Sequence, residues 1–385
     1  MEANETEVLV VGAGAAGLAA GAALQERGIR PLIVDSAPAI GETWRRHYDR
    51  LHLHTVRWLS GLPGLPIPRR EGKWVGRDSF VRYLQRYAAH HRLEIRYRTE
   101  VKRIERAGRE WLAYTDEGPI RTRSVIVATG YNRRPKMPNW PGAEGFRGEL
   151  IHSVEYRNPE PYRDKSVLVV GTGNSGAEIA VDLVEGGAGD VSISVRTPPN
   201  IMRRDIGGFP SQVTGVLMRR LPPPVVDRLA RGVSRISIGD LRPYGLPPPP
   251  RGLYTRLNED DVVPILDIGL VDLIKARKVL AVGAVTGFDG EEVLLADGQR
   301  LRPDAVIAAT GFDRALEDMV GHLGVLGRHG RPLVKGPAMH RNAPGLYFVG
   351  FANPISGALR EAGIEARRIA RAIQNTRGRR LKLAG

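Results

Sequence analysis

The chain contains no cysteine, and this absence excludes whole classes of chemistry: 385 residues with zero Cys can form no disulfide, no thiolate metal site and no Cys-x-x-Cys redox centre. Long apolar runs are missing too, since none reaches the ~18 residues of a membrane-spanning helix. No secretory leader is expected ahead of Val8, because the first strand starts too early and MEANETE is acidic. Negative charge is in deficit, with 57 Lys and Arg against 42 Asp and Glu for a net +15. The arginines are scattered through every segment and only the tail RGRRLK clusters, so the surplus points to phosphorylated small molecules rather than to nucleic acid. At 42% hydrophobic residues the chain is globular and long enough for two core-forming domains, with the cytoplasm as its default compartment. No metal site is expected.

Two copies of one phosphate-binding pattern organise what is present. EVLVV leads into Gly12, Gly14 and Gly17, and SVLVV leads into Gly171, Gly173 and Gly176, each a strand feeding a Gly-x-Gly-x-x-Gly turn and a helix. In such a turn the first glycine permits the tight bend, the second lets backbone approach a pyrophosphate, and the third lets the helix pack on the strand. Two dinucleotides are therefore expected. Disulfide reductases also carry two such folds, but a chain without cysteine cannot share their chemistry. Asp35 ends the second strand 23 positions after Gly12, where an acid accepts hydrogen bonds from a ribose and repels a 2′-phosphate, as in FAD; the alternative is a cap on the following loop. Arg196 lies at the end of the matching strand in the second copy, where a cation attracts a 2′-phosphate and favours NADPH, with Arg203 and Arg204 as further candidates; otherwise it is one more surface arginine.

Between the two turns runs Phe146-x-Gly148-x-x-x-His152-x-x-x-Tyr156. This resembles the FxGxxxHxxxY fingerprint of class B flavin-containing monooxygenases, in which Baeyer–Villiger members usually end in Trp. YDRLHLHT at 48–55, VPILDIG at 263–269, AATGF at 308–312 and YFVGF at 347–351 are most similar to the plant YUCCA-type branch, and the resemblance covers nearly the whole chain. It implies an α/β fold of two Rossmann-like dinucleotide-binding domains, the NADPH domain inserted into the FAD domain. The boundaries expected are 1–155 and 306–385 for FAD and 156–305 for NADPH, with an insertion at 205–254. It further implies FAD contacts at Trp44, Arg45, Val101, Thr129 and Gly130, and cofactor contacts at His152, Asn174, Ser175, Thr310 and Gly311. His54 falls where YUCCA-type members have a histidine near the reactive flavin carbon. A hydrogen-bond donor there is chemically sensible, and a purely structural histidine is the other reading.

Elsewhere, residues 78–91 have helical apolar spacing at Phe80, Leu84 and Tyr87 with Asp78 as N-cap, and 41–58 reads as loop. The insertion predicts two short amphipathic helices with Val225, Val226, Leu229, Val233, Ile236 and Ile238 on one side, suited to a lid, to packing or to weak peripheral membrane contact. Asp-Gly at 289 and 297 predicts hairpin turns, and a long helix is expected over 357–373. The function implied is an NADPH-dependent monooxygenase that forms a C4a-(hydro)peroxyflavin and inserts one atom of O2 into a small organic substrate by N- or S-oxygenation or hydroxylation. Baeyer–Villiger or oxidative-decarboxylation chemistry on a carbonyl substrate is the alternative. An FAD/NADPH electron-transfer reductase, docked through its basic surface, and a cofactor-binding regulator without turnover stand further off. The sequence carries no signal for oligomeric state.

Overall fold

The computed structural model describes residues 4–218, 221–260, 262–352, 354 and 356–384; Met1 to Ala3 and the side chains of the basic tail beyond Arg377 lie outside the described residues. The chain divides into two compact units, one of residues 1–45, 55–134 and 312–385, the other of residues 46–54 and 135–311.

The first unit is built on β1 (Asn4–Val11), α1 (Ala15–Gln25) and β2 (Leu32–Val34). Val8, Leu9 and Val10 are fully buried, with β2 and the distant β6 paired on the two edges of β1 and α1 packed on it, as in the central strand of a sheet covered on both faces. β3 (Ile95–Arg96) extends the parallel sheet beyond β2, and Leu346–Phe348 adds a strand to the far side of β6. β4 (Val101–Ala107), β5 (Glu110–Thr115) and β6 (Gly118–Val127) form an antiparallel meander, in which the buried Trp111 donates to the carbonyl of Pro344 at 3.2 Å. α2 (Arg77–His90) buries Phe80, Leu84 and Tyr87 as the spacing predicts. Its N-cap, however, is Gly76; Asp78 lies inside the first turn and takes Arg77 at 2.8 Å. A single helical turn, Glu42–Arg45, interrupts the stretch expected as loop. The C-terminal helix runs Ala358–Ala384, longer than its apolar pattern suggested, and packs along α1.

The second unit is a five-stranded parallel sheet made from β7 (Glu149–His152), β8 (Ser166–Val170), β9 (Asp190–Ser194), β12 (Leu280–Val282) and β16 (Ala305–Ala308), in the order β12-β9-β8-β16-β7. α3 (Asn174–Glu185) connects β8 to β9. The unit's main segment begins at Pro135, ahead of the expected 156, because β7, which carries the fingerprint, pairs with β16 and is part of the sheet. β13 (Val285–Asp289), β14 (Glu292–Leu295) and β15 (Arg300–Leu301) make the two hairpins at the Asp-Gly positions.

β10 (Ile201–Arg203) and β11 (Ile265–Asp267) pair in parallel and bracket the insertion, which holds three helices rather than two: Ser211–Met218, α4 (Pro223–Ser237) and Leu253–Glu259. Its apolar residues do not share one side. The buried Asp227 carboxylate accepts from the Tyr254 N–H and the Thr255 hydroxyl, both at 2.6 Å, and this anchor turns the neighbouring Val226 inward. Val225, Leu229, Val233 and Ile236 therefore face solvent.

Candidate active site

The two glycine turns are near-copies in their packing. Gly12 and Gly171 have φ of +111° and +116°, and a Cβ on either would press against a backbone carbonyl of the next strand's end, Ala128 at 2.6 Å and Ala309 at 2.5 Å. Side chains at Gly17 or Gly176 would overlap the carbonyl of Gly12 or Gly171, so these two glycines seat α1 and α3 on their strands. Gly14 and Gly173 differ from the rest, because a Cβ at either would meet nothing within 4 Å. They are the N-caps of their helices and make no side-chain cap, so the first N–H groups of α1 and α3 take no side-chain partner from these positions and open space adjoins them. A diphosphate fits such a cradle. In the first unit the buried Thr129 hydroxyl, next to the Gly12 packing site, has no partner among the described residues and suits a cofactor contact.

Asp35 sits where the sequence places it and also caps its loop: its carboxylate takes the Ala13 N–H at 2.6 Å and the Ala37 N–H at 2.8 Å. The second unit departs from the expected match by one residue. Gly12 N–H bonds to the carbonyl of Val34 and Gly171 N–H to that of Ser194, so the counterpart of Asp35 is Val195 and Arg196 is one step further. No acid stands at the ribose position, and Arg196 is exposed with no carboxylate partner among the described residues. Arg203 is not available to help, because Asp267 and Asp272 hold it at 2.7 Å each. Arg204 is half-buried, which lowers its pKa, and it faces the field of Glu178.

Each fingerprint residue has a contact inside the second unit. Phe146 packs on Phe288 with ring centres 5.0 Å apart, and Gly148 leaves room for the Asp304 carbonyl and the Phe146 ring. His152 accepts the Val154 N–H at Nδ1 and meets the Gly311 carbonyl at Nε2, 3.0 Å away, which fixes the neutral tautomer with its proton on Nε2. Tyr156 is buried, stacks on Tyr162 and donates to Asp182 of α3 at 2.8 Å. The fingerprint thus clasps β7, β16 and α3 together rather than forming a free connection between domains.

Residues 46–54 join this unit through polar groups the sequence reading passed over. Tyr48 is buried and donates to Glu178 at 2.7 Å, while Arg50 reaches Asp182 at 3.2 Å and Glu185 at 2.8 Å. The signal was present: Glu178 and Asp182 lie four apart in EIAVDLV, acids on the packed face of a helix. His54 Nε2 stands 3.4 Å from the buried Glu178 carboxylate, and Nδ1 is buried with no partner among the described residues. Burial holds its pKa below the usual imidazole value, and the carboxylate favours the proton on Nε2. With the proton on Nε2, the Nδ1 side of the ring is open to a ligand.

Other expected contacts fall in both units. Trp44 stacks edge-on against Phe80 with Arg45 exposed beside it, Val101 is buried at the start of β4, and Gly130 follows Thr129 after β6. Thr310 and Gly311 bond to the backbone of Lys136. Asn174 is occupied by protein: its amide accepts from Leu266 N–H at 2.7 Å and reaches the Pro264 carbonyl at 3.4 Å, pinning VPILDIG to the turn. Ser175 hydrogen-bonds Tyr48. Among the described residues there is no cluster able to hold a metal and no helix long and apolar enough to cross a membrane.

The family profile described as pyridine nucleotide-disulphide oxidoreductase matches residues 9–206. Indole-3-pyruvate monooxygenase YUCCA1 of Oryza sativa subsp. japonica is 35% identical over 359 residues, 91% of this chain and 88% of its own length. Probable indole-3-pyruvate monooxygenase YUCCA7 of Arabidopsis thaliana is 32% identical, covering 96% of this chain and 87% of its own. Among solved structures, a flavin-containing monooxygenase from Stenotrophomonas maltophilia superposes with a TM-score of 0.74 at 25% identity, over 97% of this chain and 99% of that one.

Two outcomes follow from this packing. Gly14→Ala should fold with an unchanged melting temperature yet lose the yellow bound flavin, whereas Gly17→Ala, which drives a Cβ into Gly12, should fail to fold; a Gly14→Ala protein that keeps full flavin removes the cradle assignment. Burial lowers the pKa values of His54 and His152, so as pH falls below about 6.5 the unfolded chain takes up protons first. Stability from these groups is complete above that pH and is lost as pH drops through the folded values. Thermal melts should show a loss between pH 7.5 and 5.5 that shrinks in His152→Gln, and an equal loss in both proteins would contradict the role given to His152.

Proposed function

Because the chain belongs to the class B flavin-containing monooxygenase family, beside its YUCCA-type members, we propose that it is an NADPH- and FAD-dependent monooxygenase acting on a small 2-oxo acid. The observation that carries this reading is the pair of open glycine cradles in a chain that aligns over nine-tenths of its length with a named indole-3-pyruvate monooxygenase. Gly14 and the N-terminus of α1 hold FAD in the first unit, with Asp35 on its ribose. Gly173 and the N-terminus of α3 hold NADPH in the second. Val195 leaves the 2′-phosphate unopposed and Arg196 pairs with it. Once bound, FAD reduced by NADPH supplies the activation of O2.

In the overall reaction one oxygen atom enters the product acid and the other leaves as water. The bond between the substrate's carbonyl carbon and its carboxylate breaks, carbon dioxide departs, and NADPH provides the two electrons. His54 presents its Nδ1 lone pair to a protic group, and Glu178 acts as the positioning residue that keeps the ring in that tautomer. Tyr48 and Tyr156 hold the carboxylates of α3 in place and exclude water from them.

FAD-loaded protein supplied with NADPH, O2 and a 2-oxo acid such as indole-3-pyruvate should release carbon dioxide and the shortened acid in step with NADPH use. If 2-oxo acids give no product while an amine or thioether is oxidised readily, the chemistry lies at a heteroatom instead. For coenzyme choice, Arg196→Ala should weaken NADPH by about 2 kcal/mol, the loss of one charge-assisted contact, and leave NADH nearly unaffected. Equal losses for the two coenzymes would refute the pairing.

A further inference from the structure

α4 carries two features that the monooxygenase reading does not use. Val225, Leu229, Val233 and Ile236, spaced four, four and three apart, form one outward stripe, and Leu221, just ahead of the helix, and Leu217, on the helix before it, are exposed as well. Ile236 is 91% and Leu217 72% exposed, and the other four are 41–45% exposed. Such an apolar stripe calls for a covering surface. Along its flank run the exposed Arg228, Arg231 and Arg235, while the one acid of the helix, Asp227, is buried and already bonded to the backbone of Tyr254. Arg228 and Arg231 also line an open pocket of about 410 Å³, with Pro224, Asp227, Arg251, Gly252 and Thr255 on its walls. Arg251 is held there by Glu259 and Asp260, at 2.8 and 2.7 Å, and the Asp227 carboxylate is turned onto Tyr254 and Thr255, which leaves Arg228 and Arg231 as the cations of the pocket with no carboxylate partner among the described residues.

We propose that α4 docks the enzyme onto an anionic bilayer surface, with the apolar stripe entering the acyl boundary and the arginine-lined pocket receiving a lipid headgroup phosphate. A helix that lies in the membrane plane needs an apolar face beside a cationic one, and α4 presents both outward. Charge decides against a second copy of the chain as the occupant. A self-complementary contact along the stripe would bring the same arginine row to the interface twice, like charge against like. Guanidinium groups beside an apolar strip match the phosphates and acyl region of a bilayer.

The test uses flavin-loaded protein and sedimentation with vesicles. It should pellet with vesicles of equal parts phosphatidylglycerol and phosphatidylcholine, stay in solution with pure phosphatidylcholine, and be released by salt. Leu229→Asp with Ile236→Asp should abolish pelleting while flavin content and NADPH oxidation stay unchanged. Arg228→Ala with Arg231→Ala should weaken binding roughly fivefold per arginine and flatten its salt dependence. Failure of the unaltered protein to pellet with anionic vesicles overturns the proposal, as does wild-type pelleting by both double variants. Light scattering that shows a dimer lost in the Leu229→Asp and Ile236→Asp protein, with vesicles ignored, assigns the stripe to a second copy instead. Saturating NADP+ should leave pelleting unchanged; release by NADP+ would give the pocket to the coenzyme and end the proposal without touching the monooxygenase reading.

Discussion

A backbone carbonyl packed where a glycine has no side chain is the contact on which both units depend. The Ala128 carbonyl occupies that space at Gly12, and the Ala309 carbonyl does so at Gly171. Each carbonyl lies just past the end of a strand far along the chain, β6 in one unit and β16 in the other. A turn takes its binding shape only once that distant strand has paired, so the anion cradle is a property of the closed sheet rather than of the six-residue motif. The remaining glycines then sort by what surrounds them: two hold helix against strand, and two open onto space.

The second unit adds a polar constraint to this apolar frame. Glu178 and Asp182 project from the packed face of α3, where an unpaired carboxylate would cost several kcal/mol. Tyr48, Arg50 and Tyr156 come to meet them from two separate stretches, 46–54 and the fingerprint. Of the motif that marks the family, Tyr156 closes on this buried acid pair, while Phe146 and His152 pack on β13 and on Gly311. The acid pair explains why a short stretch of about ten residues detaches from its sequence neighbours and joins the other unit.

Much of this was legible in the sequence, and the parts that were not share a cause. Both glycine turns, the strands leading into them, α2 and the Asp-Gly hairpins follow from local rules of spacing and turn chemistry. What failed was whatever depends on a partner remote in sequence. Asp78 has the composition of a cap, yet Gly76 starts the helix. The stripe on α4 has a helical period, but which of its two apolar sides turns inward is set by Asp227 reaching Tyr254. Arg203 looked free until Asp267 and Asp272 were placed beside it, and the carboxylate beside His54 comes from Glu178, 124 positions away. One position of register, Val195 against Asp35, was invisible without the paired strands.

Asn174 has a consequence for redesign. Both ends of its amide bond to the backbone, at Pro264 and Leu266, and Ser175 beside it bonds Tyr48, so the second turn offers an anion chiefly peptide N–H groups. Peptide groups are the same in every protein. Efforts to retune this chain toward a different coenzyme therefore have no purchase in the turn itself, where exchanging Asn174 would loosen VPILDIG first. On the proposed coenzyme reading, such engineering would work at the end of β9, on Val195 and Arg196, where side chains rather than main chain stand at the counterpart of Asp35.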